Sequence, residues 1–402
     1  MAMAEKRILV LSFYYCPDLS AGSFRTTALV ESLLEKKHPE IKIDVITTLP
    51  NRYSSFDTQA PERETSERLS IRRIQLFAHQ SGKLDQAKAF FRFAREASRL
   101  ARGKQYDLIF ATSSRLMTAA LGAWIARRGN SPLYLDIRDI FVDTIKDVLS
   151  KQVAFALMPF FSVIERWTIT RAAHVNLVSV GFESYFKARY PRQSYSYFTN
   201  GVDEEFILPD SAARRESRAN HGPIRVLYAG NMGDGQGLHA IIPSLAMQLR
   251  GRASFKLIGD GGRRPRLEKA LAISGAVNVE LVAPMPREEL IKEYLKADVL
   301  FLHLNDYDAF KKVLPSKIFE YAALGKPVWA GVSGYAAQFL HEEVSNAAVF
   351  RPCDAKHALQ VLDQLEIRDT PRAAFVQKFS RKIIMRAMAE DVLDCMRQGV
   401  AI

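Results

Sequence analysis

Short apolar runs alternate with longer amphipathic segments along the first half of the chain. The runs that predict buried strands lie at residues 8–12, 43–47, 70–76, 108–111, 133–136, 175–179 and 195–198. Helical patterns lie between some of them, at about residues 23–37 and 117–127. Strands that alternate with helices are typical of βαβ units, which place parallel strands in one sheet. The first half therefore predicts an α/β domain.

The same alternation begins again after a polar segment. Strands are predicted at residues 224–228, 255–258, 279–281, 299–304, 328–330 and 347–350. A helix over about residues 237–249 carries an apolar stripe, and Pro243 is expected to bend it. We therefore predict an N-terminal α/β domain (1–203), a linker (204–222), a second α/β domain (223–371) and C-terminal helices (372–402).

Composition agrees with a soluble protein of two domains. A chain of 402 residues is too long for one ordinary domain, and its 48% hydrophobic and 25% charged residues are ordinary for a globular protein. No apolar run approaches the roughly 20 residues that span a bilayer. The N-terminus leads directly into a strand, so no signal peptide is expected. The three cysteines fit neither a metal site nor a disulfide framework and favour a reducing cytoplasm.

The charge of the chain indicates anionic partners. Its formal net charge is +12 and its pI is near 9.5. The sequence has no recognition helix, zinc-finger spacing or RNA-binding aromatic motif, so nucleic acid is not an expected partner. A nucleotide diphosphate and an anionic membrane surface account for the excess charge as well as nucleic acid would, and membrane contact is the favoured explanation.

Residues 315–327, PSKIFEYAALGKP, carry the most specific chemical pattern. Pro315 suits the first position of a helix, and Gly325 suits the left-handed residue after its end. Lys317 and Glu320 share one face of that helix, and the free N–H groups of a helix start favour a phosphate. A cation for phosphate and a carboxylate for vicinal hydroxyls suit a nucleotide-sugar. The alternative is a capped core helix with a solvated Lys/Glu pair.

Residues 230–237, GNMGDGQG, form a second pattern. This segment follows a predicted strand and precedes a predicted helix, at the edge of an α/β sheet where ligands bind. Its glycines would let backbone amides approach a diphosphate closely. The alternative is a tight strand-to-helix turn that binds nothing.

Taken together, these segments resemble family 4 retaining glycosyltransferases, most closely the bacterial enzymes of O-antigen, capsule and exopolysaccharide synthesis. The resemblance rests on segments that keep the family's order, which are 7–11, 15–17, 21–22, 136–139, 199–203, 226–233, 257–261 and 315–327. It implies the GT-B architecture, an α/β fold in which two Rossmann-like domains with parallel sheets face each other across a cleft. The first domain would bind the acceptor, the second would bind the nucleotide-sugar donor, and the C-terminal helices would cross back to the first.

The resemblance also assigns donor-binding residues. These are Gly22, Gly230, Asn231, Gly233, Arg263, Pro284, Met285, Ser316, Lys317 and Glu320. Glu320 is expected at the ribose hydroxyls, Lys317 at the diphosphate, and the loop with Pro284 and Met285 at the nucleobase.

Two departures from the family pattern bear on activity. Many members carry arginine at the position of Asn231 and lysine at that of Gln236, where the two cations grip the diphosphate. Arg263 or Arg264 is the expected replacement, beside the helix lysine. The first of the family's paired glutamates is Lys312 here. Lys312 would meet a phosphate or an acidic sugar, or it lies in a solvated loop.

The implied reaction is front-face transfer with retention, in which the protein positions the substrates and stabilises the leaving diphosphate. The catalytic candidates are Lys317, as the electrophilic group, and Asp139, as an acceptor-side base or orienting group. A loop-capping role is the alternative for Asp139, because an aspartate of ordinary pKa is a weak base. No Asp-x-Asp pair lies near the donor segments, so neither a divalent metal nor another cofactor is expected.

Residues 83–104 predict a basic helix with interleaved aromatic residues, which suits an interfacial helix on anionic lipid. The candidate membrane contacts are Phe90, Phe91, Arg92, Arg95 and Arg99, and the apolar segment 153–164 would add to them. We expect a peripheral protein on the cytoplasmic face of the inner membrane, beside a polyprenyl-diphosphate-linked acceptor. The alternative is that the aromatic residues belong to the core.

The leading interpretation is transfer of a hexosyl or N-acetylhexosaminyl group to a lipid-linked glycan during cell-surface polysaccharide synthesis. Family frequency favours a uridine-diphosphate donor. A GT-B-fold epimerase would need a cluster of catalytic acids and bases that the sequence lacks. A non-catalytic partner subunit that has lost the diphosphate-binding cations stays open.

Overall fold

The chain divides into two compact units. The computed structural model describes residues 5–35, 37–50, 59–76, 83–113, 116–140, 142–143, 151–207 and 222–399. Unit 1 comprises residues 1–200 and 381–402, and unit 2 comprises residues 201–380. The sequence boundaries expected after residues 203 and 371 lie near these two divisions. Of the predicted linker, residues 208–221 lie outside the described part of the chain.

The described part of unit 1 is built on one mainly parallel sheet. Its strands are β1 (Lys6–Leu11), β2 (Ile41–Thr48), β3 (Arg63–Thr65), β4 (Leu69–Ile74), β5 (Leu108–Thr112), β6 (Leu133–Ile137), β7 (His174–Leu177) and β8 (Tyr195–Ser196). They lie in the order β3-β4-β2-β1-β5-β6-β7-β8. The pairs are parallel except β3–β4, which is an antiparallel edge hairpin. The sequence pattern did not predict β3, because its three residues are polar and exposed.

Helices follow most strands of unit 1. They are α1 (Ala21–Leu33), α2 (Lys83–Ala101), α3 (Leu116–Gly129), α4 (Lys151–Arg171) and α5 (Glu183–Arg189). Helix α1 begins where Ser20 caps it, since the Ser20 hydroxyl accepts the Ser23 amide hydrogen at 3.1 Å. Its Leu29, Val30 and Leu33 are buried against β1 and β2. The core thus lies between the helices and the sheet.

Unit 2 repeats this design with a sheet that is parallel throughout. Its strands are β9 (Ile224–Ala229), β10 (Ala253–Ile258), β11 (Val279–Val282), β12 (Val299–His303), β13 (Val328–Gly331) and β14 (Ala347–Phe350). Their order is β11-β10-β9-β12-β13-β14. Its helices are α6 (Leu238–Gln248), α7 (Arg264–Ser274), α8 (Arg287–Lys296), α9 (Lys317–Ala323), α10 (Tyr335–Glu343), α11 (Ala355–Leu362) and α12 (Ala373–Lys378). Buried apolar side chains fill both strand and helix faces, as parallel sheets require.

The last helix belongs to unit 1, although it follows unit 2 in sequence. This helix, α13 (Arg381–Gly399), packs its Met385, Met388 and Val392 into the core formed by α1, β1 and β2. Immediately before it, the Val202 amide donates to the Phe379 carbonyl at 2.7 Å. That hydrogen bond joins the beginning and the end of unit 2.

Candidate functional site

The carboxyl ends of β9 and β10 are joined by direct backbone contact between the loops that follow them. The Gly230 amide donates to the Ile258 carbonyl at 2.9 Å, and the Met232 amide donates to the Asp260 carbonyl at 2.8 Å. Gly259 has a φ of +145°, and a Cβ at this position would lie 1.9 Å from the Gly230 carbonyl oxygen. Only glycine fits there. The glycines of both loops are therefore needed for the fold of this edge, whatever it binds.

Lys317, Glu320 and Tyr294 meet beside this edge. The Lys317 Nζ donates to Glu320 Oε2 at 2.7 Å and to the Tyr294 hydroxyl at 3.0 Å. A Cβ on Gly230 would lie 3.7 Å from Lys317 Cε. The lysine stem therefore lies against residues 230–237, which we call the glycine loop. The sequence predicted that Lys317 and Glu320 share a helix face, and the structure brings them together with that loop.

The three side chains differ in how far they are buried. Tyr294 and Glu320 are buried, whereas the Lys317 side chain keeps 25% of its exposure. Burial, together with the Glu320 carboxylate, raises the pKa of Tyr294 well above its usual value, so the phenol stays neutral. Both Glu320 contacts use Oε2. Oε1 has no hydrogen bond to any residue that the structure describes.

The helix that carries Lys317 begins later than predicted. α9 starts at Lys317, with Ser316 at its N-cap, so Pro315 lies before the helix and not at its first position. The prediction for Pro315 is wrong because the Pro315 and Ser316 carbonyls accept the Ile318 and Phe319 amide hydrogens in a tight turn. The Ser316 side chain makes no capping hydrogen bond.

Asn231 and Gln236 bind each other across the glycine loop. The Asn231 Nδ2 donates to Gln236 Oε1 at 2.9 Å, and the Gly233 amide is 3.3 Å from the same oxygen. A Cβ on Gly233 would lie 2.6 Å from Asn231 Nδ2. The hydrogen bond between these two amide side chains therefore links the beginning of the glycine loop to its end.

Arg263 and Arg264 are already paired. Arg263 forms an ion pair with Asp234 of the glycine loop at 2.5 Å, and Arg264 donates to the Gly259 carbonyl at 2.9 Å and to Glu268 at 3.0 Å. Both arginines thus brace the loops. Arg263 stays partly exposed near the glycine loop, whereas the role predicted for it, phosphate binding, stays a prediction.

His303 holds the glycine loop in place through hydrogen bonds of both ring nitrogens. The sequence pattern did not identify this residue. Its Nδ1 is 2.6 Å from the Gln236 carbonyl oxygen and its Nε2 accepts the Cys353 amide hydrogen at 3.0 Å. Since a carbonyl can only accept, we assign the proton to Nδ1. Burial lowers the pKa of His303 to about 4. A histidine as the last residue of an otherwise apolar strand is the signal that could have indicated it.

Two family models match consecutive parts of the chain. The model described as "Glycosyl transferase 4-like domain" matches residues 23–201, and the model described as "Glycosyl transferases group 1" matches residues 210–382. The chain belongs to the family 4 glycosyltransferases. This confirms the family predicted from the sequence.

A curated relative and two solved structures agree with this membership. WcaI of Escherichia coli (strain K12), a colanic acid biosynthesis glycosyl transferase, is 34% identical over 101 residues, which are 25% of this chain and 24% of that protein. Anabaena Alr3699/HepE in complex with UDP and glucose has a TM-score of 0.68 at 16% identity, over 97% of this chain and 100% of that chain. WaaG, a glycosyltransferase involved in lipopolysaccharide biosynthesis, has a TM-score of 0.61 at 13% identity, over 97% and 98%. The shared fold is GT-B, as predicted.

The matched part of the curated relative is about a quarter of its length. The family models therefore assign the family, and the solved structures assign the GT-B fold. The roles of single residues are inferred from the geometry of this chain. Pro284 and Met285, for example, lie half-buried in the loop between β11 and α8, and their contact with a nucleobase stays a prediction.

In unit 1, Gly22 and Asp139 lie near the carboxyl ends of central strands. Gly22 occupies the first turn of α1, and Asp139 is an exposed residue shortly after β6. Asp139 lines a cavity of about 10 Å³ together with Glu165. Glu165 is buried and accepts the Tyr190 hydroxyl hydrogen at 2.9 Å, and its burial raises its pKa. Asp139 stays a candidate base or orienting group.

The predicted membrane contacts on helix α2 differ in their exposure to solvent. Phe91 is 71% exposed, Arg95 and Arg99 are also exposed, and Arg92 and Phe90 are half-buried. Phe93 is fully buried against Phe13, so one aromatic residue of this run belongs to the core. A larger exposed apolar surface lies on α4, where Phe155, Phe160 and Val163 are 83%, 60% and 68% exposed.

The described residues contain neither a bilayer-spanning helix nor a cluster of metal-binding side chains. No helix there is long and apolar enough to cross a bilayer. No three His, Cys, Asp or Glu side chains in the described ranges lie together as a metal site would require.

Proposed function

We propose that this glycosyltransferase moves a sugar from a nucleoside-diphosphate sugar to a glycan acceptor during cell-surface polysaccharide synthesis. The proposal rests on the arrangement of Lys317, Glu320 and Tyr294 beside the glycine loop. An ammonium ion and a carboxylate with one uncommitted oxygen are held together at the edge of a parallel sheet. That edge is where α/β folds bind nucleotides.

Each group has a task in the proposed donor complex. The Lys317 ammonium binds the diphosphate and stabilises the charge that develops on it as the glycosidic bond breaks. Glu320 Oε1 accepts hydrogen bonds from the ribose hydroxyls. Neutral Tyr294 contacts both side chains and holds their spacing. Two polar groups fixed by a buried phenol lose little freedom when the donor binds.

Transfer proceeds on the face from which the diphosphate departs, with retention of the anomeric configuration. The departing oxygen and the acceptor hydroxyl then lie on the same side, and no protein nucleophile takes part. Lys317 neutralises the leaving diphosphate, and Asp139 orients or deprotonates the acceptor hydroxyl. The reaction proceeds without a divalent metal.

We infer a uridine-diphosphate donor and a polyprenyl-diphosphate-linked acceptor. Family frequency and the UDP complex of Alr3699/HepE support the nucleotide. The names of WcaI and WaaG, which refer to colanic acid and lipopolysaccharide, support a surface glycan as the product. The exposed apolar face of α4 supports an enzyme that acts at a membrane surface. We infer that this surface is the cytoplasmic leaflet, where such acceptors would be extended.

A panel of nucleotide-sugars tests the proposal. Purified protein is incubated with UDP-, GDP- and ADP-sugars and a short isoprenyl-diphosphate-linked saccharide, with and without EDTA. We expect transfer from one UDP-sugar, a product that keeps the donor's anomeric configuration, and equal rates with EDTA. Nucleotide binding without transfer or hydrolysis would favour a non-catalytic subunit, and conversion of the donor sugar alone would favour an epimerase.

A further inference from the structure

A cavity of about 190 Å³ lies in unit 1 beside the carboxyl end of β4. The edge hairpin β3–β4 forms one wall, and helix α2 forms the other. Ligands of α/β folds bind at the carboxyl ends of the strands. A protein cavity of about 150 Å³ holds benzene, so a six-membered ring fits here. None of its lining residues lines the cavity beside Asp139, so the two cavities are separate.

The hairpin wall carries two arginines that lie opposite each other. Arg63 of β3 and Arg72 of β4 are direct partners in the antiparallel register. Like charges in that position destabilise a strand pair. Among the described residues, neither guanidinium group has an ion pair or a side-chain hydrogen bond. The hairpin therefore keeps two adjacent cations that no described carboxylate balances in an ion pair.

Helix α2 adds further arginines to the opposite wall. Arg92, Glu96 and Arg99 line the cavity, and their spacing of four and three positions puts them on one face of the helix. Arg99 forms an ion pair with Glu96 at 2.8 Å. Arg92 and Arg99 are two of the predicted membrane contacts, and the structure places both of them in the wall of this cavity.

The cavity has a positive charge balance. Five arginines and two glutamates line it. One of the arginines, Arg73, is committed elsewhere, because it pairs with Glu64 and donates to the Cys16 carbonyl at 2.9 Å. The other four arginines still exceed the two glutamates, Glu62 and Glu96, by two charges. The balance favours an anionic ligand, and planar guanidinium groups bind a carboxylate or a phosphate through two parallel hydrogen bonds.

The remaining lining residues distinguish a sugar acid from a bare anion. Glu62 and Gln75 are exposed and offer oxygen acceptors for hydroxyl groups. The Glu62 carboxylate repels a bare phosphate, whereas it can accept a hydroxyl hydrogen. Ile74 and Leu100 add an apolar surface that can pack against the C–H face of a sugar ring. Cations, hydroxyl acceptors and apolar surface together suit a ring that carries both hydroxyl groups and a carboxylate.

We propose that this cavity binds an acidic sugar, a uronic acid unit, of the acceptor glycan. The inference deepens the proposed function and rests on it for the role of the glycan as acceptor. Arg63 and Arg72 bind the carboxylate, and the arginines of α2 add to the field that attracts it. Glu62 and Gln75 accept hydrogen bonds from the ring hydroxyl groups. Unit 1 would then select acceptors by charge as well as by shape.

A matched pair of small ligands tests the site. Methyl β-D-glucuronide and methyl β-D-glucoside differ only at C6, which carries a carboxylate in one and a hydroxymethyl group in the other. NMR titration of the full chain measures both dissociation constants. We expect the glucuronide to bind at least about 10-fold more tightly than the glucoside, and Arg63→Gln with Arg72→Gln to weaken glucuronide binding by about 10-fold or more.

The control for this variant removes the same charge elsewhere in unit 1. Arg102→Gln with Arg127→Gln changes two exposed arginines that do not line the cavity, and it should keep the parental affinity. Equal binding of the two ligands by the parent protein would overturn the proposal. Unchanged glucuronide affinity in Arg63→Gln with Arg72→Gln would overturn it as well.

Glu62→Ala separates a sugar-acid site from a plain anion site. The change removes a negative charge, so inorganic phosphate should bind as before or more tightly. The glucuronide should bind about 3-fold more weakly, because it loses a hydrogen-bond acceptor. Unchanged or tighter glucuronide binding would indicate a plain anion site and contradict the assignment. Since Glu62 is exposed, this variant also keeps the test valid if the double arginine variant folds poorly.

Kinetics separate this inference from the proposed function. Two isoprenyl-diphosphate-linked saccharides, one ending in glucuronate and one ending in glucose, serve as acceptors. We expect Arg63→Gln with Arg72→Gln to raise KM for the acidic acceptor with little change in kcat, because the contact is the same in the ground state and the transition state. If the glucuronide binds through the arginines but neither acceptor is glycosylated, the sugar-acid site stands and the proposed function fails. If transfer occurs with equal KM values for both acceptors, and the variant keeps those values, the function stands and the sugar-acid site is wrong.

Discussion

Lys317 has a structural position in unit 2 and, in the proposed function, a chemical task as well. Its ammonium ion lies between the Glu320 carboxylate and the Tyr294 hydroxyl, and its stem lies against the Gly230 backbone. A charge-assisted hydrogen bond to a buried carboxylate fixes the position of the ammonium ion before a donor arrives. The same side chain stays partly exposed, as the proposed contact with a donor diphosphate requires.

Removal of this ammonium ion should affect chemistry more than folding. We predict that Lys317→Ala lowers kcat/KM by about 30- to 1,000-fold, which corresponds to about 2–4 kcal/mol of transition-state stabilisation. The exposed Lys356 offers a matched control on α11, and Lys356→Ala should keep parental kcat/KM. Near-normal turnover of Lys317→Ala with a chosen nucleotide-sugar would remove this lysine from the reaction.

At the scale of elements, the glycine loop depends on neutral His303. The imidazole joins the Gln236 carbonyl to the Cys353 amide, and this hydrogen bonding needs one proton on Nδ1 and none on Nε2. A second proton would turn the Nε2 acceptor into a donor that faces another donor. The buried position makes that proton costly, as the pKa of about 4 indicates.

This gives stability a defined pH dependence. Above about pH 6.5, His303 is neutral in both the folded and the unfolded chain, and it adds no pH dependence. Below that pH the unfolded chain takes up the proton first, so the free energy of unfolding falls as pH falls towards 4, by about 3 kcal/mol in total. Urea unfolding at pH 6.5, 5.5 and 4.5 measures this loss. His303→Gln should lose less stability over the same range, and an identical slope in the two proteins would contradict the assignment.

The exposed apolar side chains of helix α4 lead to a separate prediction about membrane binding. Its Phe155, Phe160 and Val163 are exposed, and insertion of such side chains into an interface is favourable by about 1–3 kcal/mol each. We predict that Phe155→Ser with Phe160→Ser weakens sedimentation with anionic vesicles by at least about 10-fold. Ile273→Ser, which changes an exposed isoleucine of unit 2, should have no effect. Equal sedimentation of all three proteins would exclude α4 as the contact.

At the scale of the whole molecule, the strand and helix order could be predicted from sequence because each element carries its own periodicity. Runs such as 347–350 are apolar throughout, and the structure gives the same bounds for β14. The pairing of Lys317 with Glu320 was predictable too, because three positions on one helix fix their neighbourhood. The short polar strand β3 was not, since antiparallel pairing with β4 and not local composition determines it.

The parts of the site that depend on tertiary contact could not be predicted from sequence. Tyr294 reaches Lys317 from a different helix, and His303 reaches the glycine loop from the end of β12. Asn231 and Gln236 replace two cations of the family pattern, and sequence alone could not show that they would bind each other.

Preferential stabilisation by a nucleoside diphosphate tests the central claim most directly. Melting temperatures are measured for the full chain and for Lys317→Ala with UDP, GDP, ADP and CDP, because a ligand that binds only the folded protein adds about 2.7 kcal/mol at 100 times its Kd. The account predicts a clear rise for one of these nucleotides, UDP foremost, and a much smaller rise in the variant. Equal rises in both proteins, or no rise with any nucleotide, would contradict it.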